Sequence, residues 1–474
     1  MLSRLEVRGF KNLLDTRAEF GPFTCIAGAN GIGKSNVFDA IEFLSSLASE
    51  PMVEAAQRVR GSTGTRGGDV RDLFWDGYHD HERRIDLAAE MIVPREVADD
   101  LGAPARAATT FLRYELTLGY EAPIDAGSIG RPNLLREKLT HINRGDAARH
   151  LRFPHDAAKF RDSVVVGQRR GGAFLSTTEE ETGTVINVHG DGGSRGKPQL
   201  RAAARAGRTV LSTITTNDYP TILAARREMQ SWRRFALEPS ALRTPDSFSG
   251  PRSLDNNGQH LAATLYRIAN DTTAAETPDA EALYARVAGR LSDLSGVRVE
   301  DLSVEPDQVR EVFTLFLRER SNLRLPARSL SEGTLRFLAL CVLLEDPNFT
   351  GLMCMEEPEN GIHPANLPAI VQLVKDLAVD PSDAPDSDNP FRQVIVNTHA
   401  PGVVQLCNEA DLLLADLQPQ WLPDGTHART LTLMPFRGSW RAQNADRTFS
   451  EADVVAYLAA PAGAQLRLPM DLAG

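Results

Sequence analysis

The chain has 474 residues, of which 24% are charged and 42% are hydrophobic, a composition typical of a globular protein with more than one small domain. Its densest apolar run, 337–344, is too short to span a membrane, and the first residues lack the apolar core of a signal peptide, so we expect a cytoplasmic protein without a membrane partner. The net charge of −11 argues against a protein that is coated with DNA over its whole surface.

The charge is unevenly distributed along the chain. Residues 131–208 contain 15 Lys and Arg against 8 Asp and Glu, a local balance of +7 that leaves −18 for the rest. Such asymmetry is compatible with a polyanion-binding lobe and equally with an ordinary solvated surface. The basic residues that could follow a nucleic-acid backbone are Arg169, Arg170, Arg201, Arg205 and Arg208, extended by the pairs Arg226–Arg227 and Arg233–Arg234.

The first elements predict a strand that leads into a glycine-rich turn and a helix. Residues 2–10 alternate in part between apolar and polar side chains, as a half-buried strand does. The sequence FTCIAGANGIGKSN then changes from an apolar run to glycines, and Val37, Ala40, Ile41 and Leu44 after it share one helical face. Strand, glycine loop and helix are the context that a phosphate-binding loop needs.

The middle of the chain has a weaker pattern. Segments 84–93 and 111–120 are typical of strands. From Pro123 to about Thr216, Gly, Arg and Ser are frequent, and we interpret this stretch as an irregular insertion outside the central sheet. The pattern after it predicts helices over 221–237, 258–271 and 282–294.

The last third alternates between apolar strands and helices. The predicted elements are a strand at 311–320, a buried helix at 335–345, a short buried strand at 351–357, a helix at 365–378, an acidic loop at 380–390, a buried strand at 391–399 and two late strands. No internal repeat is evident.

Residues 28–35, GANGIGKS, fit the phosphate-loop pattern G-x-x-x-x-G-K-[ST] in full. The glycines of such a loop let backbone N–H groups turn inward around phosphates. Lys34 supplies a point charge for the β- and γ-phosphates, and the Ser35 hydroxyl is a ligand for Mg²⁺. The sequence therefore predicts a nucleotide-binding loop here.

A pair of acids, Glu356 and Glu357, ends the apolar strand predicted at 351–357. One carboxylate suits the Mg²⁺ shell, and the other can polarise an attacking water. Two glutamates at this place are often no more than the exit of a strand, but Pro358 and Gly361 indicate a shaped turn around them.

Two further candidates are a serine turn and a histidine. Ser331 and Gly333 lie directly before the helix of 335–345, where a Ser/Gly turn can bind an anion or can be a plain N-cap. His399 ends the strand of 391–399. A lone histidine there is more often structural, but after the other three motifs it is a candidate sensor of the γ-phosphate.

The order of these motifs, GANGIGKS, LSEGT, EEPE and TH, resembles that of the ABC ATPase superfamily, specifically its RecF, SMC and OLD-like branch. RGFKNL and GANGIGKSN resemble the first strands and Walker A, LSEGTLRFLAL the signature motif, and EEPENGIHP the Walker B motif and D-loop. The motifs cover about 1–45 and 325–402. The chain looks like the predicted AAA-family ATPases of this branch that carry no fused nuclease domain.

The resemblance implies a role for each matching residue. The residues implied to bind the ATP phosphates are Asn30, Gly31, Gly33, Lys34, Ser35 and Asn36. It implies Glu356 as the Walker B acid that shares Mg²⁺ with Ser35, Glu357 as the catalytic base and His399 as the switch histidine. Ser331 and Gly333 would contact the γ-phosphate of ATP held by the other subunit, so a homodimer with two composite ATP sites is implied.

The sequence departs from the family pattern at several places. Glu356 stands where many members have Asp, Glu332 replaces the first glycine of LSGGQ, and Thr334 replaces its glutamine. No long heptad array is present, so the coiled coil of SMC proteins is not expected. Only 75 residues follow His399, without an obvious acidic cluster, and Glu451 and Asp453 are better explained as a helix N-terminus than as nuclease acids.

We therefore expect an α/β fold: an ABC-type P-loop ATPase head with a large insertion. The expected parts are 1–95 and 300–474 as the two halves of the head, with a basic insertion at 96–299. The expected reaction is hydrolysis of ATP with Mg²⁺, in DNA repair or phage defence, with DNA contacted through the insertion and a separate nuclease or effector chain as partner. A nucleotide-dependent scaffold that restrains a partner, and less so a transport ATPase, remain alternatives.

Overall fold

The computed structural model describes residues 1–59, 70–75, 84–123, 130–167, 169, 171–181, 183–192, 199–202, 206–270, 279–296, 298–319, 323–421, 425 and 427–459. The chain forms two compact units. Unit 1 contains Met1–Arg233, Asp380–Pro385 and Glu409–Gly474, and unit 2 contains Arg234–Val379 and Asp386–Asn408. The division of the chain at residues 95 and 299 stays a prediction.

The strands, in chain order, are β1 (Leu2–Arg8), β2 (Thr16–Glu19), β3 (Phe23–Ala27), β4 (Arg84–Ile92), β5 (Glu96–Ala98), β6 (Pro104–Arg106), β7 (Phe111–Glu121), β8 (Arg131–His141), β9 (Leu175–Glu180), β10 (Gly183–Val188), β11 (Gln199–Ala202), β12 (Arg233–Phe235), β13 (Asp246–Ser247), β14 (Val299–Asp307), β15 (Val312–Glu319), β16 (Arg324–Pro326), β17 (Gly351–Glu356), β18 (Arg392–Thr398), β19 (Leu412–Trp421) and β20 (His427–Pro435).

The α-helices are α1 (Lys34–Leu47), α2 (Met52–Arg58), α3 (Ala147–His150), α4 (Asp162–Val164), α5 (Pro220–Gln230), α6 (Pro239–Leu242), α7 (Leu261–Ala269), α8 (Ala280–Ser295), α9 (Glu332–Glu345), α10 (Leu367–Asp376), α11 (Pro401–Leu406) and α12 (Glu451–Ala459). None of the helices in the described part of the chain combines the length and the apolarity that crossing a bilayer requires.

Unit 1 contains an eight-stranded sheet in the order β11-β10-β9-β8-β7-β4-β1-β2. The expectation of an irregular insertion from Pro123 to Thr216 is therefore wrong, because β8 to β11 extend this sheet by antiparallel pairing. The reason is visible in β8, where Leu134, Glu137 and Leu139 are buried while Leu135 and Arg136 are exposed, so that an apolar residue faces solvent and a charged one faces the interior. This mixture hides the alternation that is typical of a half-buried strand.

A second group of strands in unit 1 supports the phosphate loop. All five residues of β3 are buried. β3 pairs in parallel with β19, where Cys25 lies opposite Leu412, and β19 pairs with β20 as an antiparallel hairpin. Because β3 is held along one side by β19, the loop that follows Ala27 leaves the sheet from a fixed strand end.

In unit 2, two parallel buried strands carry the acids and the histidine. β17 pairs with β18, with Met355 opposite Val396 and Glu356 opposite Asn397, and β12 lies on the other side of β17. The predicted helix over 221–237 ends early, at Gln230, because the residues after it form β12. The other late helices and strands lie where the sequence predicts them.

A buried arginine fixes the end of α9 against β18. Arg392 is 2% exposed and donates to the carbonyl oxygens of Phe349 at 2.6 Å, Asp346 at 2.5 Å and Leu344 at 3.3 Å. The last carbonyl groups of a helix have no hydrogen-bond donor within the helix. A cationic side chain that donates to them, as Arg392 does, therefore stabilises the end of α9. The contact ties the signature helix to the strand that ends before His399.

Candidate functional site

The phosphate loop joins β3 to α1. Gly33 stands at the N-cap of α1 with a left-handed φ of 101°, and being glycine it brings no side chain that could cap the helix. The first turn of α1 contains no acidic side chain. The start of this helix therefore has no capping side chain and is of the kind that suits an anion.

Two glycines of the loop are required by close packing. A Cβ at Gly33 would lie 2.3 Å from the side-chain nitrogen of Asn12, and one at Gly28 would lie 2.9 Å from the carbonyl oxygen of Ala415. Gly31 has open space around it, but its φ of 78° is one that other residues rarely adopt. The loop thus has the backbone that cradles phosphate, for reasons of both space and conformation.

Lys34 is buried and donates from Nζ to the carbonyl oxygens of Gly28 at 2.7 Å and Ala29 at 2.8 Å. The ammonium group therefore lies inside the curve of the loop, where a nucleotide phosphate would meet it. Tyr457 of α12 brings its hydroxyl to 3.5 Å from the same carbonyl of Gly28. The C-terminal helix thus contacts the loop, which the sequence did not predict.

Asn12 connects the loop to α1. Its Nδ2 donates to the carbonyl of Ile32 at 2.8 Å, and its Oδ1 accepts from Nδ2 of Asn36 at 2.6 Å. Its backbone carbonyl accepts from Leu431 of β20 at 3.0 Å. Asn12 lies in the segment RGFKNL, whose resemblance to the family assigns it no role. An Asn at a turn is nevertheless a common signal of local hydrogen bonding.

Lys11, the neighbour of Asn12, makes a second link to α1. It has a left-handed φ of 49° and pairs through Nζ with Oδ2 of Asp39 at 2.7 Å. Asp39 is fully buried within α1. A buried carboxylate needs such a cation, so the turn before β2 is anchored to the helix that begins at the phosphate loop.

The acids of unit 2 lie at the carboxyl end of β17, as the sequence predicts. β17 ends at Glu356, and Glu357 follows with a left-handed φ of 46° and a backbone N–H that donates to the carbonyl of Asn397 at 2.9 Å. The structure brings Glu357 and His399 together, with 2.5 Å between Oε1 and Nδ1. A carboxylate and a histidine separated by 42 residues in sequence are thus in direct contact.

Glu356 has a partner that sequence analysis did not assign. Nη2 of Arg234 donates to Oε1 of Glu356 at 2.8 Å, and both side chains are about one quarter to one third exposed. Arg234 belongs to β12, beside β17, so the pair follows from strand pairing. In the sequence, Arg234 is named for its place in the pair Arg233–Arg234, which is interpreted as a possible contact with nucleic acid rather than as a partner of Glu356.

The turn after the acids contains a third carboxylate. Glu359 is 7% exposed and accepts a hydrogen bond from the Thr398 hydroxyl, which lies one residue before His399. Burial raises the pKa of Glu359 above its ordinary value. This contact holds the turn to the end of β18, which helps keep Glu357 beside His399.

Ser331 is the N-cap of α9. Its Oγ accepts from the N–H of Thr334 at 3.2 Å and lies 2.7 Å from the Thr334 hydroxyl. A Cβ at Gly333 would lie 3.4 Å from the carbonyl of Gly361, so the start of α9 packs against the turn that follows Glu357. The geometry is that of a plain N-cap, and contact of Ser331 and Gly333 with nucleotide stays a prediction.

The predicted site residues divide between the two units. Unit 1 carries Asn30, Gly31, Gly33, Lys34, Ser35 and Asn36, and unit 2 carries Ser331, Gly333, Glu356, Glu357 and His399. The groups present fit a nucleotide phosphate and Mg²⁺: the start of α1 suits phosphate, and a serine hydroxyl and a strand-end carboxylate are the oxygen ligands that Mg²⁺ prefers. Among the described residues, no group of three or more His, Cys, Asp or Glu could hold a metal ion by itself.

Much of the basic stretch is engaged within the protein. Ion pairs join Arg131 to Glu121, Arg144 to Asp162, Arg136 and Lys138 to Glu115, and Arg226 and Arg227 to Asp100. Arg169 donates to the carbonyls of Gly172 and Gly190 and stacks 4.0 Å from the ring of Phe174. Of the remaining arginines named as candidate nucleic-acid contacts, Arg201 and Arg208 are exposed, and Arg208 donates to the carbonyl oxygen of Ser49 at 2.8 Å, while Arg170 and Arg205 lie outside the described residues.

The acids near the C-terminus form a helix start, as predicted. Both the N–H and the hydroxyl of Ser450 donate to Oδ2 of Asp453 at 2.7 Å, and α12 begins at Glu451. Asp453 therefore closes the first turn of α12.

Comparison with protein families gives one extensive match. The model of the family described as "AAA domain, putative AbiEii toxin, Type IV TA system" matches residues 23–84 and 112–405, well over half of the chain. The chain belongs to this AAA-domain family. The matched segments of this family member include the phosphate loop, the acids at the end of β17 and His399.

A stretch of 61 residues is 36% identical to the DNA replication and repair protein RecF of Phocaeicola vulgatus. It covers 13% of this chain and only 16% of that relative. The family match and this short segment agree with the order of the nucleotide-binding motifs, and the chain spans less than a fifth of the length of this relative.

Among solved structures, an SMC head bound to the C-winged helix domain of ScpA aligns with 91% of this chain and 97% of its own, at 14% identity and a TM-score of 0.45. The SMC head domain from Thermotoga maritima aligns with 92% of this chain and 98% of its own, at 12% identity and a TM-score of 0.34.

Proposed function

We propose that this chain is a cytoplasmic ATPase that hydrolyses ATP to ADP and phosphate. The observation that carries the proposal is the contact of Glu357 with His399 at 2.5 Å, beside Glu356 at the end of a buried parallel strand. An ionised carboxylate at such a place is a hydrogen-bond acceptor for an attacking water. The phosphate loop, with a cationic Lys34 at the start of a helix, supports the binding of a nucleotide.

In this proposal each residue has one task. Asn30, Gly31, Gly33, Lys34, Ser35 and Asn36 bind the phosphates. Ser35 and Glu356 would hold Mg²⁺, which neutralises charge on the phosphate oxygens. Glu357 accepts a hydrogen bond from the water whose oxygen bonds to the γ-phosphorus as the bond to the ADP oxygen breaks. His399, held by Glu357 through Nδ1, uses Nε2 to contact the γ-phosphate.

The test is phosphate release by the purified chain and by its Glu357→Gln variant. Gln keeps the size of the side chain but cannot accept a proton, so turnover should fall by roughly 10²-fold while ATP still binds. Lys34→Ala should weaken ATP binding itself. Glu281→Gln, an exposed change at the start of α8, is the matched control. Hydrolysis by Glu357→Gln at the wild-type rate would exclude this assignment.

We also propose that the ATPase works as a homodimer in DNA repair or antiviral defence, with a separate nuclease or effector. The support is family membership and the name of the RecF relative. The basic stretch could contact DNA through exposed arginines, and those outside the ion pairs named for this stretch include Arg201 and Arg208. Replacing both by Glu should weaken binding of labelled duplex DNA, measured by anisotropy over a series of salt concentrations, without changing basal hydrolysis. Unchanged affinity would remove this surface from the proposal.

A further inference from the structure

Both carboxylate oxygens of Glu357 are held by side chains. Oε1 lies 2.5 Å from Nδ1 of His399, and Oε2 accepts from Nδ2 of Asn360 at 2.7 Å. An ionised carboxylate can only accept hydrogen bonds, so the amide nitrogen of Asn360 is the donor. Asn360 is not among the residues that the motifs imply to bind ATP or Mg²⁺ or to take part in hydrolysis.

The backbone explains how Asn360 reaches a residue only three positions before it. Glu357 has a left-handed φ of 46°, and the N–H of Asn360 donates to the carbonyl of Glu357 at 2.9 Å, which closes a turn. The N–H of Glu357 is itself fixed to Asn397 of β18. A non-glycine residue with positive φ is uncommon and persists where its surroundings hold it. The turn is thus held in a conformation that folds Asn360 back onto the glutamate.

The contact restricts the group that has to orient a water. A free glutamate side chain samples many rotamers, and holding it in one of them costs conformational entropy. With His399 on one oxygen and Asn360 on the other, the carboxylate plane is set before a substrate arrives. Each oxygen keeps acceptor capacity, so a water can still be bound while the carboxylate stays in place.

We propose that Asn360 is a positioning residue for the catalytic base, acting through Glu357 rather than on ATP. The inference rests on the proposed hydrolysis by Glu357. Asn is also a common turn residue, and in that case its side chain would serve the backbone alone. The two roles differ in what an isosteric change does, because a turn tolerates Asp while the carboxylate of Glu357 does not.

The first experiment compares Asn360→Asp and Asn360→Ala with the wild-type chain. Asn360 is exposed, so both variants should fold with an unchanged melting temperature. Asn360→Ala should lower kcat about tenfold with KM for ATP unchanged, the result of losing orientation but not binding. Asn360→Asp, which has the same shape but repels Glu357, should be at least as slow. Asn360→Gln, which keeps an amide donor, should recover part of the rate.

The second experiment is a double-mutant cycle with Glu357→Gln, measured in single turnovers. If Asn360 acts through Glu357, then Asn360→Ala should slow the wild-type chain but have no further effect in the Glu357→Gln background. Exposed Asn257→Ala in the same unit is the control and should change neither. Wild-type kcat in Asn360→Asp, a rise in KM without loss of kcat, or additive effects in the cycle would overturn the inference. Wild-type hydrolysis by Glu357→Gln would instead reject the proposed function, so the two failures are distinguishable.

Discussion

Arg234 and Glu356 form an ion pair across neighbouring strands, with 2.8 Å between Nη2 and Oε1. Glu356 is the acid that the motif order assigns to Mg²⁺, and an arginine beside it lowers the negative potential that a cation would meet. A metal that binds this carboxylate has to displace the guanidinium group or tolerate its charge. If Glu356 binds Mg²⁺ as proposed, Arg234 should weaken that binding.

Removing this charge should strengthen metal binding. Arg234→Gln keeps a hydrogen-bond donor of similar reach without the positive charge, and we expect the affinity for Mn²⁺ in the presence of ATP to rise roughly three- to tenfold. Electron paramagnetic resonance of free Mn²⁺ measures this directly, apart from turnover. Arg318→Gln is the control: it removes an arginine of β15 that is paired with Asp301 of β14, and it should leave the affinity for Mn²⁺ unchanged. Weaker Mn²⁺ binding by Arg234→Gln would mean that Arg234 helps to build the site.

Asn12 should set the affinity of the phosphate loop for ATP. Asn12→Ala removes both the donor to the Ile32 carbonyl and the partner of the Asn36 side chain, and each such bond contributes about 0.5–1.5 kcal/mol. We expect ATP to bind roughly tenfold more weakly, as measured by competition with a fluorescent nucleotide. Exposed Asn217→Ala is the matched control in the same unit. Unchanged affinity in Asn12→Ala would show that the loop keeps its shape without this side chain.

Glu137 of β8 makes the stability of unit 1 depend on pH. It is fully buried and accepts from the Tyr114 hydroxyl at 3.0 Å and from the N–H groups of Val210 at 2.7 Å and Leu211 at 2.8 Å. Burial raises its pKa from 4.5 to about 7 despite these donors. Between pH 4.5 and about 7 the folded chain therefore keeps a proton that the unfolded chain has lost.

The sign of the effect follows from this difference. The stabilisation by the bound proton is complete below pH 4.5 and is lost as the pH rises to about 7, a change on the order of 3 kcal/mol in the free energy of unfolding. Glu137→Gln, neutral at every pH, should remove this dependence. Urea unfolding at pH 5, 6, 7 and 8 tests the difference between the two proteins, with exposed Glu180→Gln as control. Parallel pH profiles for wild type and Glu137→Gln would contradict the assignment.

The sequence was sufficient for those parts of the site that local pattern determines. The phosphate loop is one contiguous motif whose glycines are required by backbone geometry, and Glu357 and His399 both end strongly apolar strands. Parallel buried strands place their carboxyl ends at one edge, so the contact between Glu357 and His399 follows once the strands are recognised.

The contacts that sequence reasoning missed depend on pairing across the fold or on backbone conformation. Arg234 meets Glu356 only because β12, 122 residues earlier, lies beside β17. Asn360 reaches Glu357 only because a non-glycine residue adopts a left-handed φ, which composition does not signal. The role of β8 to β11 in a sheet was missed because the segments are short or interrupted in their period-two pattern: β8 buries the charged Glu137 and exposes Leu135, and β11 has only four residues.

Ser331 allows the capping role and the nucleotide role to be separated. It caps α9 through its hydroxyl, and Asp and Asn are equally good N-caps, so Ser331→Asp and Ser331→Asn should both leave the melting temperature unchanged. If Ser331 also meets the γ-phosphate of ATP on a second subunit, the carboxylate of Ser331→Asp would repel that phosphate while the amide of Ser331→Asn could still donate to it.

In a Glu357→Gln background with ATP and Mg²⁺, light scattering should therefore show dimers for Ser331 and, at least in part, for Ser331→Asn, but monomers for Ser331→Asp. If the preparation is already dimeric without ATP, the same three proteins are compared by the distance between spin labels at the exposed position 281 of each subunit. This distance should shorten with ATP in the proteins with Ser331 or Ser331→Asn, but not with Ser331→Asp. Equal ATP response in all three proteins would leave Ser331 as a helix cap alone and would remove the composite site from the proposed function.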